Sequence, residues 1–244
     1  MNDITNKKVL LYSGGMDSWL IDKLWKPDIK LYIDIHGDYN KEEISRLPKD
    51  VIIVDCPFLS QFEIHSNKFL PLRNLYFLMI ASNYGDHICL GATGGDWGNK
   101  DKTPEFLDMT EKMLQYLWSD KKTNRIVYVE KQFNYIFKNE MIDMYIAQGG
   151  DIDILRKETF SCYTPIDGKE CFDCYPCFRK FALLYAHGAK YTDEEQYKMW
   201  LYIKNNIIPT KEQGGYQGTY YTDRGIESKD LIFTVDSLKL KFGE

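Results

Sequence analysis

Val9-Leu10-Leu11-Tyr12-Ser13-Gly14-Gly15-Met16-Asp17-Ser18 sets the pattern for the N-terminal half of the chain. Val9 to Tyr12 is a short apolar run of the kind that fills a buried strand. A glycine pair follows, and then an apolar stretch from Trp19 to Trp25 that Pro27 closes, which reads as a helix. Strand, glycine turn and helix together suit an anion. Glycines let the backbone bend and come close to a ligand. Successive N–H groups form a nest for phosphate oxygens, and the helix start adds partial positive charge. Ser13 and Ser18 can donate hydroxyl hydrogen bonds, whereas Asp17 suits a metal-linked or helix-capping role. The loop is not of the Walker type, because no Gly-Lys-Ser/Thr follows.

Working outward, Lys30–Ile35, Val51–Val54 and His87–Leu90 read as further strands. The polar segment from Asn40 to Arg46 fits a helix, and Pro71 to Tyr84 carries Leu75, Leu78 and Met79 at helical spacing. Strands alternating with helices predict an α/β fold, a doubly wound parallel sheet. Ligands of such sheets bind beyond the carboxyl ends of the strands. The loop at Ser13, the residues near Asp34 to Asp38 and the loop from Gly91 all fall at that edge.

The second half changes character. Thr103 is placed to cap a helix over 103–118 with Pro104 at its first position, and 139–148 and 178–185 read as further helices. Cys162, Cys171, Cys174 and Cys177 fall within sixteen residues of each other. Four thiolates with Cys-x2-Cys spacing match tetrahedral zinc, and a closed four-sulfur site is structural. Buried thiols, or a Cys174/Cys177 redox pair, are the other readings of the cluster. The chain thus divides into a nucleotide-binding α/β domain at 1–118, a helical zinc-binding part at 119–190, and a C-terminal extension at 191–244. The extension is rich in Tyr and Lys, with a glycine turn at Gly214-Gly215, and shows no chemistry of its own.

With 244 residues, 44% hydrophobic and 27% charged, the composition is that of an ordinary globular protein. A net charge of -5 argues against a dedicated nucleic-acid binder. No apolar run reaches membrane-spanning length. Met1 to Lys8 is polar and lacks a signal-peptide core, so the reading is cytoplasmic, where clustered cysteines bind metal rather than pair. Cys56 and Cys89 flank strands and read as small buried hydrophobes. The 18 tyrosines read as packing residues.

These segments together resemble the 7-cyano-7-deazaguanine synthases, PP-loop ATP pyrophosphatases of the adenine nucleotide α-hydrolase-like fold. The resemblance runs from about Lys8 to Leu184. It rests on the loop Ser13–Ser18, on Leu70-Pro71-Leu72-Arg73-Asn74, on Gly91 to Asp101, on Phe137-Lys138-Asn139-Glu140-Met141-Ile142, and on Ser161-Cys162-Tyr163 with the three later cysteines. It implies ATP held by Ser13, Gly14, Gly15, Asp17 and Ser18, Mg2+ on the phosphates, and zinc on the four cysteines. It also implies 7-carboxy-7-deazaguanine and ammonia as substrates, and a homodimer. Arg73 and Lys138 are candidates for neutralising phosphate or carboxylate charge, with a solvated helix face as the plain alternative. Asp96 and Asp101 are candidates for holding substrate base or metal, or else lie in a solvated loop.

The stretch from Asp96 to Phe106 lacks the family's Tyr-Pro-Asp-Cys wording, and the chain departs from the family at two further places. His36-Gly37-Asp38 replaces the usual Tyr-Gly-Gln after the second strand, and Gly91-Ala92-Thr93 replaces Gly-x-Asn after the fourth. Both fall where a base is recognised. A ligase that passes the activated carboxylate to a protein or nucleic acid is therefore an alternative. So is a tRNA-thiolating enzyme using Cys56 or Cys89, and so is a zinc module that binds nucleic acid or a partner without catalysis.

Overall fold

The computed structural model describes residues 4–37, 40–64, 70–209 and 227–243. The chain forms two compact units, Met1–Ile136 and Phe137–Glu244. Asp38 and the glycine turn at Gly214-Gly215 lie outside the described residues.

The first unit is built on a five-stranded, wholly parallel sheet with helices on both sides. Its strands are β1 (Lys8–Leu11), β2 (Ile29–Asp34), β3 (Val51–Asp55), β4 (His87–Cys89) and β5 (Tyr128–Val129), in the order β3-β2-β1-β4-β5. After Lys8 at its edge, β1 is buried on both faces and is apolar at each remaining position, Val9, Leu10 and Leu11. Val9 and Leu11 join Leu31, Ile33, Leu78, Leu107 and Val129 in one core, while Leu10, fully buried, points from the opposite pleat. The helices are α1 (Met16–Trp25), α2 (Asn40–Ile44), α3 (Arg73–Ala81) and α4 (Pro104–Trp118). Thr103 caps α4 by accepting the Phe106 N–H at 3.2 Å, with Pro104 in the first turn, as the sequence predicts.

The sequence reading missed β5, whose two residues are too short for periodicity to show. Its N-terminal end is anchored through Arg125, whose Nε and Nη2 donate to Asp86 Oδ1 at 2.9 and 2.7 Å. The chain runs outward from β1 to β3, then returns to the other side of β1 for β4 and β5. The strand order therefore reverses between β1 and β4, which opens a crevice at their carboxyl ends.

The second unit is helical: α5 (Lys138–Ala147), α6 (Ile152–Glu158), α7 (Tyr175–Ala186), α8 (Asp193–Tyr202) and α9 (Glu227–Phe242). Its core joins Phe178 and Phe181 of α7, Met199 and Trp200 of α8, and Leu231, Val235 and Leu238 of α9. Buried Thr234 donates to the Ala182 carbonyl at 2.9 Å. So α8 and α9, from the segment set apart as 191–244, pack against the cysteine-bearing helix, and residues 119–136 belong to the first unit.

Candidate active site and metal centre

The loop after β1 is shaped by its glycines. Gly14 has φ of +74°, in the left-handed region that a side chain disfavours. Gly15 is the N-cap of α1 and supplies no side-chain acceptor, so the first-turn N–H groups face the loop. The loop is knit by long hydrogen bonds. Ser13 N donates to Ser18 Oγ at 3.3 Å, Gly15 N to Ser13 Oγ at 3.4 Å, and Ser18 Oγ to the Gly15 carbonyl at 3.1 Å. Bonds near the length limit are weak and exchange readily for shorter ones to an anion. Asp17 lies in the first turn of α1, where a carboxylate complements the helix dipole.

The loop after β4 leaves the neighbouring strand at the same edge of the sheet. Gly91 also has positive φ, +77°, and a Cβ there would lie 3.6 Å from the Leu11 carbonyl oxygen. Gly91 thus lies against the end of β1, and the two glycine turns follow neighbouring strands where the strand order reverses. Beyond Gly91 the loop is tied down at several points. Asp96 Oδ2 accepts from Thr93 N at 3.2 Å and Thr93 Oγ1 at 3.1 Å, so the carboxylate serves the turn itself. Asn74 Nδ2 donates to the Asp101 carbonyl at 3.2 Å, which gives the buried Asn of Pro71-x-Arg73-Asn74 a positioning task. Asn134, which sequence reasoning passed over, donates to the Lys102 carbonyl at 2.8 Å and accepts the Trp97 indole N–H on its own carbonyl at 2.9 Å. No local pattern could reveal it, because its partners lie more than thirty residues away.

Arg73 is the first residue of α3 and is exposed. A cation at a helix start opposes the dipole. Glu43 of α2 offsets this, since its carboxyl feels the Arg73 charge. Burial nonetheless pushes Glu43 up from the usual carboxylate range, against a 2.6 Å hydrogen bond from Tyr32 Oη. Asn40 Nδ2 donates to the same phenol oxygen at 2.7 Å. Lys138 opens α5 in the second unit and is half-buried.

Cys162, Cys171, Cys174 and Cys177 bring their sulfurs within 4.8 Å of one another. The Cys171 and Cys177 sulfurs are 4.0 Å apart, close to the roughly 3.8 Å that two 2.3 Å zinc–sulfur bonds span in a tetrahedron. Backbone N–H groups point at the sulfurs: Asp173 N donates to Cys171 Sγ at 3.2 Å, and Cys171 N to Cys162 Sγ at 3.4 Å. Phe172, at φ of +54°, makes the tight turn between the second and third cysteines. Cys174 is the N-cap of α7. Its thiol is held down to about 5, chiefly by the Cys177 thiol, which acts against burial with help from backbone donors. A thiolate is thus favoured at Cys174, while burial raises Cys162 and the Cys174 thiol raises Cys177, so in the metal-free cluster the charge gathers on one sulfur. The cluster fits zinc in ligand type, number and spacing.

The knuckle is fastened to α7 by Lys180, which is 2% exposed. Its ammonium donates to Glu170 Oε1 at 2.9 Å and to the Arg156 carbonyl at 3.0 Å, as well as to the Thr159 carbonyl. Cys56 and Cys89 are both buried. Burial pushes the Cys89 thiol up to about 12 and also raises Cys56. Neither has the lowered pKa of a nucleophilic cysteine, which removes the main support for the thiolating alternative.

The family model described as "Queuosine biosynthesis protein QueC" matches residues 47–186, more than half of the chain. The chain belongs to the QueC family. The stretch shared with QueC includes Arg73, Asp96, Asp101, Lys138 and all four clustered cysteines, and begins after the Ser13–Ser18 loop. The chain is 31% identical over 121 residues to a 7-cyano-7-deazaguanine synthase of Leptospira biflexa, covering 46% of each protein. The chain therefore aligns with about half the length of that relative. It is 26% identical over 206 residues to the synthase of Leptospira interrogans, covering 70% of this chain and 84% of the relative. It is 25% identical over 209 residues to that of Aquifex aeolicus, covering 70% and 93%. No solved structure matches the chain. Among the described residues no helix is long and apolar enough to cross a membrane.

Proposed function

We propose that this QueC-family protein is an ATP-dependent carbon–nitrogen ligase that converts 7-carboxy-7-deazaguanine and ammonia to 7-cyano-7-deazaguanine. The observation that carries this reading is the pair of positive-φ glycine turns, Gly14 and Gly91, that follow the neighbouring strands β1 and β4 at the switch point of a QueC-family sheet.

A carboxylate is a poor electrophile because its oxygen leaves badly. Attack of the carboxylate on the α-phosphorus of ATP releases pyrophosphate and makes the oxygen part of AMP, a good leaving group. Ammonia then displaces AMP to give an amide. The amide oxygen is adenylated by a second ATP, which releases pyrophosphate and one N–H proton, and loss of AMP and the second N–H proton leaves the nitrile. The protein's share is positioning and charge stabilisation. Ser13, Gly14, Gly15 and Ser18 cradle the phosphates, with Asp17 in the first turn behind them. Mg2+ accompanies the nucleotide phosphates. Arg73 and Lys138 neutralise developing negative charge. Asp101 and Asp96 belong to the substrate loop, Asp96 by folding it on Thr93. The four-cysteine zinc is structural.

A second reading keeps the adenylation and changes the acceptor. Thr93, standing where the family carries Asn, is fully buried and turned onto Asp96, so it is committed to the loop rather than to a base. Loss of one buried hydrogen bond to a base costs about 1–3 kcal/mol, enough to shift specificity roughly ten- to a hundredfold. Incubation with ATP, 7-carboxy-7-deazaguanine and ammonium, read by mass spectrometry, tests both readings. Nitrile, AMP and pyrophosphate support the synthase. Amide alone, or ATP use only when another amine is added, leaves the ligase reading and removes the synthase. ADP and phosphate overturn both.

A further inference from the structure

Asp34, His36 and Asp55 form a cluster that the reaction above leaves unused. Asp34 ends β2 and Asp55 ends β3, and the two are direct register partners in the parallel ladder. Like charges placed opposite each other on neighbouring strands repel. His36 follows with φ of +59°, a left-handed conformation uncommon in residues other than glycine. That turn brings its ring back over both carboxylates. Nε2 lies 2.6 Å from Asp55 Oδ1 and 3.6 Å from Asp34 Oδ2, while the other oxygen of Asp34 accepts the His36 backbone N–H at 2.8 Å. One imidazole nitrogen and two carboxylate oxygens thus converge within 4.8 Å. A simple His36–Asp55 ion pair accounts for one of these contacts. It does not account for the left-handed turn that Asp34 holds, nor for Asp34 and Asp55 being set side by side.

We propose that Asp34, His36 and Asp55 form a second metal site, separate from the four-cysteine cluster, for a divalent cation of borderline character such as Mn2+, Co2+ or Zn2+. The donor set decides the class. Carboxylates suit Mg2+, Ca2+ and Mn2+, and imidazole suits the later first-row ions, so a mixed set favours the borderline cations over Mg2+. Two ligands on one such ion stand roughly 3 Å apart, so the His36 ring recedes by a few tenths of an ångström from Asp55. It can do so because both side chains are largely exposed, at 52% and 72%. Three protein ligands leave coordination positions open. They face the carboxyl edge of the sheet, two strands or roughly 10 Å from the Ser13–Ser18 loop. An oxygen of a small molecule seated at that edge can complete the coordination. His36 is also one of the residues at which this chain departs from the Tyr-Gly-Gln pattern, so the site belongs to this chain rather than to the family.

The test is a Mn2+ titration of the full-length, zinc-loaded, nucleotide-free protein, with free Mn2+ read by electron paramagnetic resonance. Mn2+ competes poorly for thiolates, so the cysteine cluster stays silent. The expected result is one Mn2+ per chain, weakened on the order of tenfold or more by His36→Ala and by Asp55→Asn, with circular dichroism unchanged. Co2+ added in place of Mn2+ should give weak ligand-field absorption without the intense sulfur-to-metal band of a thiolate site. Absence of Mn2+ uptake, or uptake that survives both substitutions, overturns the proposal. No ATP or deazaguanine is present, so either result is independent of the synthase reading.

Discussion

The Lys180 ammonium lies 2.9 Å from Glu170 Oε1, and the lysine is almost wholly withdrawn from solvent. Glu170 Oε1 also accepts the Ser161 N–H at 2.9 Å. One ion pair therefore fastens the two backbone segments that carry Cys162 and Cys171 to the helix that carries Cys177. Removing one partner of such a buried pair strands the other charge, at a cost of about 3–5 kcal/mol. Lys180→Met should lower the urea midpoint accordingly and hasten zinc loss to a chelator. Lys180→Met with Glu170→Leu should recover much of the stability, because an apolar pair needs no solvation. Equal destabilisation by the single and double variants would show that the pair itself is not the source.

Zinc content tests the cysteine cluster directly. Freshly purified protein should carry one zinc per chain, and Cys174→Ser should lose it. The second unit should loosen with it, because Cys171 and Cys177 belong to the same apolar cluster as Phe178, Phe181 and Leu231. Loss of near-ultraviolet dichroism with retained far-ultraviolet signal is the expected signature. A metal-free wild-type protein with normal dichroism would rule this out.

Gly14 tests the phosphate loop. Alanine at φ of +74° costs about 1–2 kcal/mol in backbone strain, and the loop must relax away from its anion-binding form. ATP turnover should fall by at least roughly tenfold while the sheet stays folded, since the added Cβ meets no atom closer than 3.8 Å, at Leu47. Full turnover in Gly14→Ala would place the phosphates elsewhere.

Glu43 gives a pH test. Its folded carboxyl titrates above the ordinary 4.5 because of burial, opposed by the Tyr32 hydrogen bond and by Arg73. The folded state thus holds this proton more tightly than the unfolded state does. Its contribution to stability is fully present below about pH 4.5 and is lost as pH rises through the higher folded value. Glu43→Gln still accepts from Tyr32 and cannot ionise. Its unfolding free energy should therefore gain on wild type as pH rises from about 4.5 toward neutrality. Parallel curves for the two proteins, measured by urea unfolding at several pH values, would refute the assignment.

Much of this was legible in the residues themselves. Val9–Tyr12 followed by two glycines predicted a strand and a turn, and β1 begins one residue earlier and ends one residue sooner. The four strands with clear apolar runs were found, because burial imposes hydrophobicity on the inner strands β1 and β4, and the edge strand β3 keeps an apolar run although Ile52 and Ile53 are exposed. The cysteine spacing predicted a four-sulfur cluster, because ligands close in sequence can converge on one ion with little help from the rest of the chain.

What the tertiary structure alone decided depends on partners far apart in sequence. The strand order, with its crevice between β1 and β4, follows from pairing that no local pattern encodes. So do the ties from Asn74 and Asn134 to the loop after β4, and the meeting of Asp34, His36 and Asp55 at the ends of two adjacent strands. Lys180 reads in the sequence as an ordinary helix lysine. Only the packed fold shows its charge enclosed against Glu170, since burial is a property of all the chain that surrounds a residue. Sequence determined the element types and the metal-ligand set, which are governed by neighbours along the chain. The fold decided which distant polar groups share one dry or crowded place, and that sharing is what gives them their chemistry.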